Sequence, residues 1–278
     1  MLPNIFITGI NGFIGRNLAT KLANQYNIYG CTRNTSYELN SKQHIFSIEL
    51  RNKITDEISV DSPIIIHTAA LMPRGHSETS LIETNVYGTK NILDWAIRNH
   101  AKHFIYISSG SVYGSQNEYY HKENDPIHPI GIYGHSKYIG EEWVKMYHEL
   151  YQIPVTIFRL FYPYGEDETH GIFSLITNLI KDDQMITINE HHHPYINPIH
   201  VDDIIHAIDL SINNPSKYEI YNLCGDRTLS FYELVTLCEK KLSKKAKYVL
   251  NSDDKSDLLG DNQLIKTKLK WQPTRLME

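Results

Sequence analysis

The sequence predicts an α/β protein, a doubly wound parallel sheet followed by a small C-terminal lobe. Three observations predict it. Short apolar runs rich in β-branched residues alternate with longer amphipathic runs over the first two thirds of the chain, the pattern of βα units joined by right-handed crossovers. Gly9, Gly12 and Gly15 follow the first apolar run at the spacing GxxGxxG. After Arg159 the texture changes to a stretch dense in proline and glycine, with Pro163, Gly165, Gly171, Pro194 and Pro198.

Each element follows in order. Asn4-Ile5-Phe6-Ile7-Thr8 reads as a strand, and Phe13 to Tyr26 as a helix with Phe13, Leu18 and Leu22 among its apolar positions. Asn27-Ile28-Tyr29-Gly30-Cys31 and His44-Ile45-Phe46-Ser47-Ile48 read as the next two strands. Pro63-Ile64-Ile65-Ile66-His67 is continuous and β-branched, as a strand covered on both faces should be. A long helix is expected over 80–99, then a strand over His103 to Ser108, a helix over 131–151 and a strand over Val155 to Arg159. Beyond these lie a helix from Phe173 to Lys181 and a βα pair at Tyr218–Tyr221 and Phe231–Lys241, before a polar tail. Residues 1–160, with later returns near 195–222, are thus expected to form the main domain. Residues 161–278 are expected to form a compact lobe interleaved with it.

The chain has 278 residues, 27 basic and 32 acidic side chains, and a formal net charge of −5. Apolar residues make up 41%, ordinary globular usage, which excludes disorder as the main state. The mild acidity argues against nucleic acid or a membrane surface as partner and leaves a small molecule. No apolar run reaches the roughly 18 residues of a membrane span, and the N-terminal run lacks a basic flank and ends at Gly9. Cys31, Cys224 and Cys238 lack metal-ligand spacing and fit a reducing cytoplasm.

The glycine run stands where the first strand turns into the first helix, as Thr8-Gly9-Ile10-Asn11-Gly12-Phe13-Ile14-Gly15. That placement suits a dinucleotide: the glycines permit a tight turn and close approach of backbone to a pyrophosphate, and the helix N-terminus favours its charge. Gly9, Asn11, Gly12, Phe13, Ile14 and Gly15 are therefore cofactor-site candidates. The second strand ends in Cys31-Thr32-Arg33-Asn34, with no carboxylate before Glu38. An acidic residue there reads the ribose of NAD, whereas arginine accommodates the 2′-phosphate of NADP. Arg33, with Asn34 beside it, favours NADP(H), with NAD as the other cofactor.

Tyr133 and Lys137 lie four residues apart at the start of a predicted helix and so share one face. An ammonium beside a phenol lowers the phenol pKa, which predicts a Tyr133 tuned toward neutrality as an acid/base. Ser108 and Ser109 end a parallel strand, at the sheet edge where doubly wound folds bind ligands.

Further segments stand in a fixed order: HTAA (67–70), TNVYGT (84–89), SSGSVYG (108–114), YGHSK (133–137), FRLFYPYG (158–165), HVDDI (200–204), YNLCG (221–225) and LKWQP (269–273). With TGINGFIG (8–15) they make nearly the whole chain resemble the extended short-chain dehydrogenase/reductase family, also called the NAD-dependent epimerase/dehydratase family, in its nucleotide-sugar branch. The resemblance implies a Rossmann sheet with a substrate lobe. It implies Ser109 as the hydroxyl that polarises the substrate carbonyl, Tyr133 as proton donor and acceptor, and Lys137 as holder of the nicotinamide ribose. It places Asn85 in a structural and cofactor-site role, Glu49 and Leu50 beside the adenine, and Thr68, Ala69 and Ala70 along the cofactor, with Ser108 and Phe161 near the nicotinamide. On the substrate side stand Met72, Ser111, Tyr162, Tyr164 and His193. His67 and His200 read as core or sheet-edge residues, and the chemistry calls for no metal. The resemblance also implies pairing of two copies through the helices near 80–99 and 131–151.

Sugar dehydratases of this family carry an Asp-Glu pair directly after the catalytic hydroxyl, because elimination of water needs an acid and a base. This chain has Gly110 and Ser111 there, which do not titrate near neutrality. Relatives commonly read RxxNxYG where this chain has Tyr162 in place of the asparagine, and Ile196 stands where an arginine commonly precedes the strand that the resemblance implies at HVDD (200–203). Arg33 tilts the expectation to an NADP(H)-dependent reductase of a 4-keto nucleotide sugar in surface-glycan precursor synthesis. The alternative is an NAD-dependent nucleotide-sugar 4-epimerase, and the third reading is a non-catalytic dinucleotide-binding regulator.

Overall fold

A computed structural model describes residues 2–33, 43–55, 57–252 and 256–275; Asn34, one of the cofactor candidates, and Glu38 lie outside them. The chain opens as β1 (Asn4–Thr8), α1 (Phe13–Leu22), β2 (Asn27–Thr32), β3 (Gln43–Ser47), β4 (Ile64–His67) and α2 (Glu78–Leu81). A π-helical segment, Ile82–Tyr87, joins α2 to α3 (Gly88–Arg98), and β5 (His103–Ser109), β6 (Tyr120–His121), α4 (Gly131–Tyr151) and β7 (Val155–Leu160) follow. The second part holds β8 (Pro163–Tyr164), α5 (Ile172–Lys181), β9 (Met185–Asn189), β10 (Tyr195–Ile196), β11 (Ile199–His200) and α6 (Val201–Asn213). It ends with β12 (Tyr218–Leu223), β13 (Leu229–Ser230), α7 (Phe231–Leu242), β14 (Lys247–Asn251), β15 (Leu259–Gly260) and α8 (Gln263–Leu269).

Seven parallel strands form one sheet in the order β12-β7-β5-β4-β1-β2-β3. Side chains alternate across it, so Ile5 and Ile7 face one way and Phe6 the other. Ile5, Ile7, Ile66 and Ile105 pack with Leu18 of α1, Ile204 and Ile208 of α6, and Ile265 and Trp271. Phe6, Ile65 and Phe104 pack with Trp95 of α3 and Val144 of α4 on the opposite face. Strand order reverses between β1 and β4, which opens a crevice at their C-terminal ends, the position where such sheets take ligands.

Two expectations are corrected. Val201–Asn213 is helix α6, not a strand, with Val201, Ile204, Ile205, Ile208 and Ile212 buried at helical spacing. His200 supplies its N-cap, its Nδ1 accepting the Asp202 N–H at 3.1 Å. The polar tail carries β14, β15 and α8, and then Trp271, fully buried, whose indole N–H donates to the Asp203 carbonyl at 3.0 Å. The lobe has its own apolar core, including Ile176, Ile180, Ile188, Leu229 and Leu234. Its ribbons (β9 with β14, β10 with β13) stand apart from the main sheet. All three cysteines are buried free thiols.

Candidate active site

The crevice is a cavity of about 300 Å³. Gly9, Asn11, Gly12, Arg33, Glu49, Leu50, Thr68, Ala69 and Ala70 line it as expected. Cys31, Thr32, Ile48, Leu71 and Thr84 line it too and were not anticipated, although Ile48 and Leu71 flank anticipated residues. The residues present fit a dinucleotide. Gly9 has φ +65°, and a Cβ there would stand 2.8 Å from the Ala69 backbone, so only glycine keeps the turn this close to the β4 loop. A Cβ on Gly15 would stand 2.4 Å from the Gly9 carbonyl; Gly15 serves helix-to-turn packing. Gly12, the N-cap of α1, has no side chain to bond the first-turn N–H groups, and such a helix start suits an anionic ligand. Arg33 is exposed at the rim.

Beside the cofactor crevice, β5 ends in Ser109, which caps a short 3₁₀ turn, Gly110–Val112. Its Oγ accepts the Ser111 N–H at 3.2 Å and pairs with the Ser111 hydroxyl at 2.9 Å. Tyr133 enters from the first turn of α4 and interacts with Ser109. The phenol is nonetheless pushed up to about 12 by burial, with the Ser109 hydrogen bond pulling the other way. The expected drop toward neutrality is therefore not what this geometry produces. Burial also pushes Lys137 down to about 7, opposed by Glu141, and the Lys137 Nζ lies 4.5 Å from the centre of the Tyr106 ring. Water is withdrawn from both charged forms, and that outweighs their mutual help.

Asn85 comes from the π-helical segment. Its side chain accepts the Leu71 N–H at 2.7 Å, donates to the Leu71 carbonyl at 3.0 Å and donates to the Ser136 hydroxyl at 3.1 Å. Ser136 in turn donates to the Tyr133 carbonyl at 2.8 Å, so Asn85 ties the cofactor crevice to the catalytic helix. A π segment inside a helix is a common device for aiming such a side chain. His67 is pinned between Thr8 (2.6 Å) and Thr89 (3.0 Å). Burial and Lys137 push its pKa down to about 3, so it is a neutral strut.

The remaining candidates divide. Ser108 is buried and its hydroxyl is engaged by Glu141 at 2.5 Å, which leaves only its backbone for a cofactor. Phe161 is 1% exposed and packs against Gly110 and Gly260, so its side chain is a wall, hidden from the cleft. Phe13 and Ile14 are half-buried in the first turn of α1, and Phe13 abuts Gly165. Met72 is exposed. Tyr162 is held at φ +47°, and Tyr164 packs edge-on to His200. The three adjacent histidines point to different partners: the His191 N–H bonds Asn189, His192 stacks on Tyr232, and His193 Nδ1 lies 2.7 Å from Asp257. They do not converge on one ion. Asp257 and Glu141 escaped the sequence reading; Glu141 had a signal, standing four residues past Lys137, whereas Asp257 lay in the supposed tail.

Comparison with known proteins finds a matching family and a matching fold. The model of the family described as "NAD dependent epimerase/dehydratase family" matches residues 5–224. A putative UDP-glucose 4-epimerase of Methanocaldococcus jannaschii is 29% identical, over 97% of this chain and 93% of that one. An N-acetyl-alpha-D-glucosaminyl-diphospho-ditrans,octacis-undecaprenol 4-epimerase of Escherichia coli O157:H7 is 27% identical, over 88% of this chain and 74% of its own. Among solved structures, UDP-glucuronic acid 4-epimerase from Bacillus cereus, in complex with UDP-glucuronic acid and NAD, superposes with a TM-score of 0.86 at 23% identity, covering 99% of this chain and 95% of that one.

Proposed function

The chain belongs to the NAD-dependent epimerase/dehydratase family, and from that premise we propose that it is a nucleotide-sugar 4-epimerase with retained NAD. One observation carries this reading. Tyr133 interacts with Ser109 at the end of β5, the strand beside β4, whose following residues Thr68 to Leu71 line the dinucleotide crevice, while Gly110 and Ser111 stand where an elimination would need an acid and a base. These groups can remove and return a proton at one carbinol oxygen. Bound nicotinamide would supply hydride acceptance and return. Tyr133 takes the proton from the C4 hydroxyl and gives it back, Ser109 hydrogen-bonds the carbonyl oxygen formed between, and the Lys137 charge favours the phenolate.

The two relatives described above, one named a putative 4-epimerase and the other a 4-epimerase, favour this over the reductase, for which Arg33 was the sole argument. Nucleotide-sugar substrates and free thiols suit a cytoplasmic setting. Ile139, Met146, Leu150 and Tyr151 on α4 and Tyr87 before α3 are exposed large apolar residues, which supports pairing of two copies along these helices. No helix among the described residues is long and apolar enough to cross a membrane.

The test is direct. Denatured protein should release NAD, and folded protein without added cofactor should convert UDP-glucose, UDP-N-acetylglucosamine or UDP-glucuronic acid to its C4 epimer. Stoichiometric consumption of added NADPH by a 4-keto nucleotide sugar, with no epimer formed, would return the reading to a reductase.

A further inference from the structure

Glu141 is charged, 3% exposed and used by none of the chemistry above. It stands four residues beyond Lys137 and eight beyond Tyr133, so all three share one face of α4. Its Oε1 accepts the Ser108 hydroxyl at 2.5 Å and the Arg159 Nε–H at 3.0 Å, and its Oε2 takes Arg159 Nη2 at 2.7 Å. Ser108 directly precedes Ser109 on β5, and Arg159 is its register partner on β7. Arg159 is itself held by the Tyr113 hydroxyl at 2.7 Å and the Glu123 carbonyl at 3.1 Å. Tyr113 donates onward to Asn222 of β12 at 2.7 Å. One carboxylate therefore joins the helix bearing two catalytic groups to the strand bearing the third.

We propose that Glu141 is a positioning residue: by clamping α4 to β5 through Ser108 and to β7 through Arg159, it sets where Tyr133 and Lys137 meet Ser109. The inference rests on the reading of those three as the catalytic groups. A buried ion pair on its own is poor value for stability, since two desolvated charges recover little more than an apolar pair would. What an apolar pair could not supply here is the bond to Ser108, whose backbone carries Ser109. The clamp has a second effect through charge. Lys137 is faced by Tyr106 from β5 and His67 from β4, and Glu141 in turn pairs with Arg159 at 2.7 Å. Among these Glu141 is the carboxylate that holds the Lys137 proton against burial.

Three variants of the full-length holoenzyme separate clamp from charge, with UDP-glucose as substrate. Glu141→Gln should lower kcat on the order of 100-fold with little change in KM, and move the alkaline fall of kcat about one pH unit lower as Lys137 loses its proton earlier. Glu141→Asp keeps the charge but is one methylene too short for Ser108; kcat falls on the order of 10-fold and the pH limb stays in place. Ser108→Ala, which removes a hydroxyl and leaves Glu141 paired with Arg159, should lower kcat on the order of 5- to 10-fold at unchanged Tm, and it decides the matter if Glu141→Gln does not fold. Wild-type kcat in Ser108→Ala and Glu141→Asp overturns the inference, as does a fall in Tm with kcat and pH profile intact. Wild-type protein that epimerises nothing overturns the functional reading and this inference together, whereas wild-type activity with unaffected variants overturns this inference alone.

Discussion

Tyr133→Phe is expected to lower turnover by about 10²- to 10⁴-fold, the usual worth of a positioned acid/base, while the protein stays folded and keeps its cofactor. The substitution removes one oxygen and leaves the ring to pack. It orphans no partner, because the Ser109 hydroxyl remains bonded to Ser111 at 2.9 Å. The pH dependence gives a second handle. A base must lose its proton, and burial holds this phenol up at about 12, so it depends on the Lys137 ammonium, which burial brings down to about 7; wild-type turnover should fall on the alkaline side of neutrality as that charge is lost. The residual turnover of the variant should lack that slope. Steady-state kinetics from pH 6 to 9 with both proteins checks each point; unchanged turnover in Tyr133→Phe would remove the mechanism.

Lys137→Met is expected to abolish useful activity and to stabilise the fold, a trade seen where a site needs a group the fold disfavours. The unfolded chain holds the lysine proton to about 10.5, the folded chain only to about 7. Between those values the unfolded state binds the extra proton, so stability rises with pH; below pH 7 the folded protein carries the full burden of a buried ammonium. Methionine has similar volume and no charge. At pH 6 it should raise stability on the order of a few kcal/mol, or about 5 to 10 °C in Tm for a chain of this size. The gain should shrink as pH approaches 10. Thermal unfolding of both proteins at pH 6 and pH 10 reads it, and a lower Tm for Lys137→Met at pH 6 would contradict the burial argument.

The sheet and the helix carrying Tyr133 were legible because each is written in local pattern. Ile64-Ile65-Ile66 can serve only as a strand covered on both faces, and the glycine turn needs nothing beyond its neighbours to be understood. Site residues given by spacing on one element, Tyr133 with Lys137, were legible for the same reason. What was missed depends on distant partners. Val201 to Asn213 carries a helical apolar stripe, whereas the strand expected at HVDD rests on the family motif alone and not on that spacing. The tail reads as polar, and its anchors are remote: the Asp203 carboxylate accepts N–H groups from Thr274 and Arg275, some seventy residues on. The phenol pKa was misjudged because spacing shows which charges are near but not how much water remains around them.

The account stands on the claim that hydrogen leaves and returns to a single sugar carbon inside one closed site. The most direct measurement uses UDP-glucose deuterated at C4, incubated with purified protein in ordinary water without added cofactor, and followed by mass spectrometry and NMR of the product. The account predicts an inverted C4 that keeps its deuterium, because the hydride is lent and given back while Tyr133 exchanges only the hydroxyl proton. Deuterium lost to solvent, or carried off on an added nicotinamide cofactor, would contradict it.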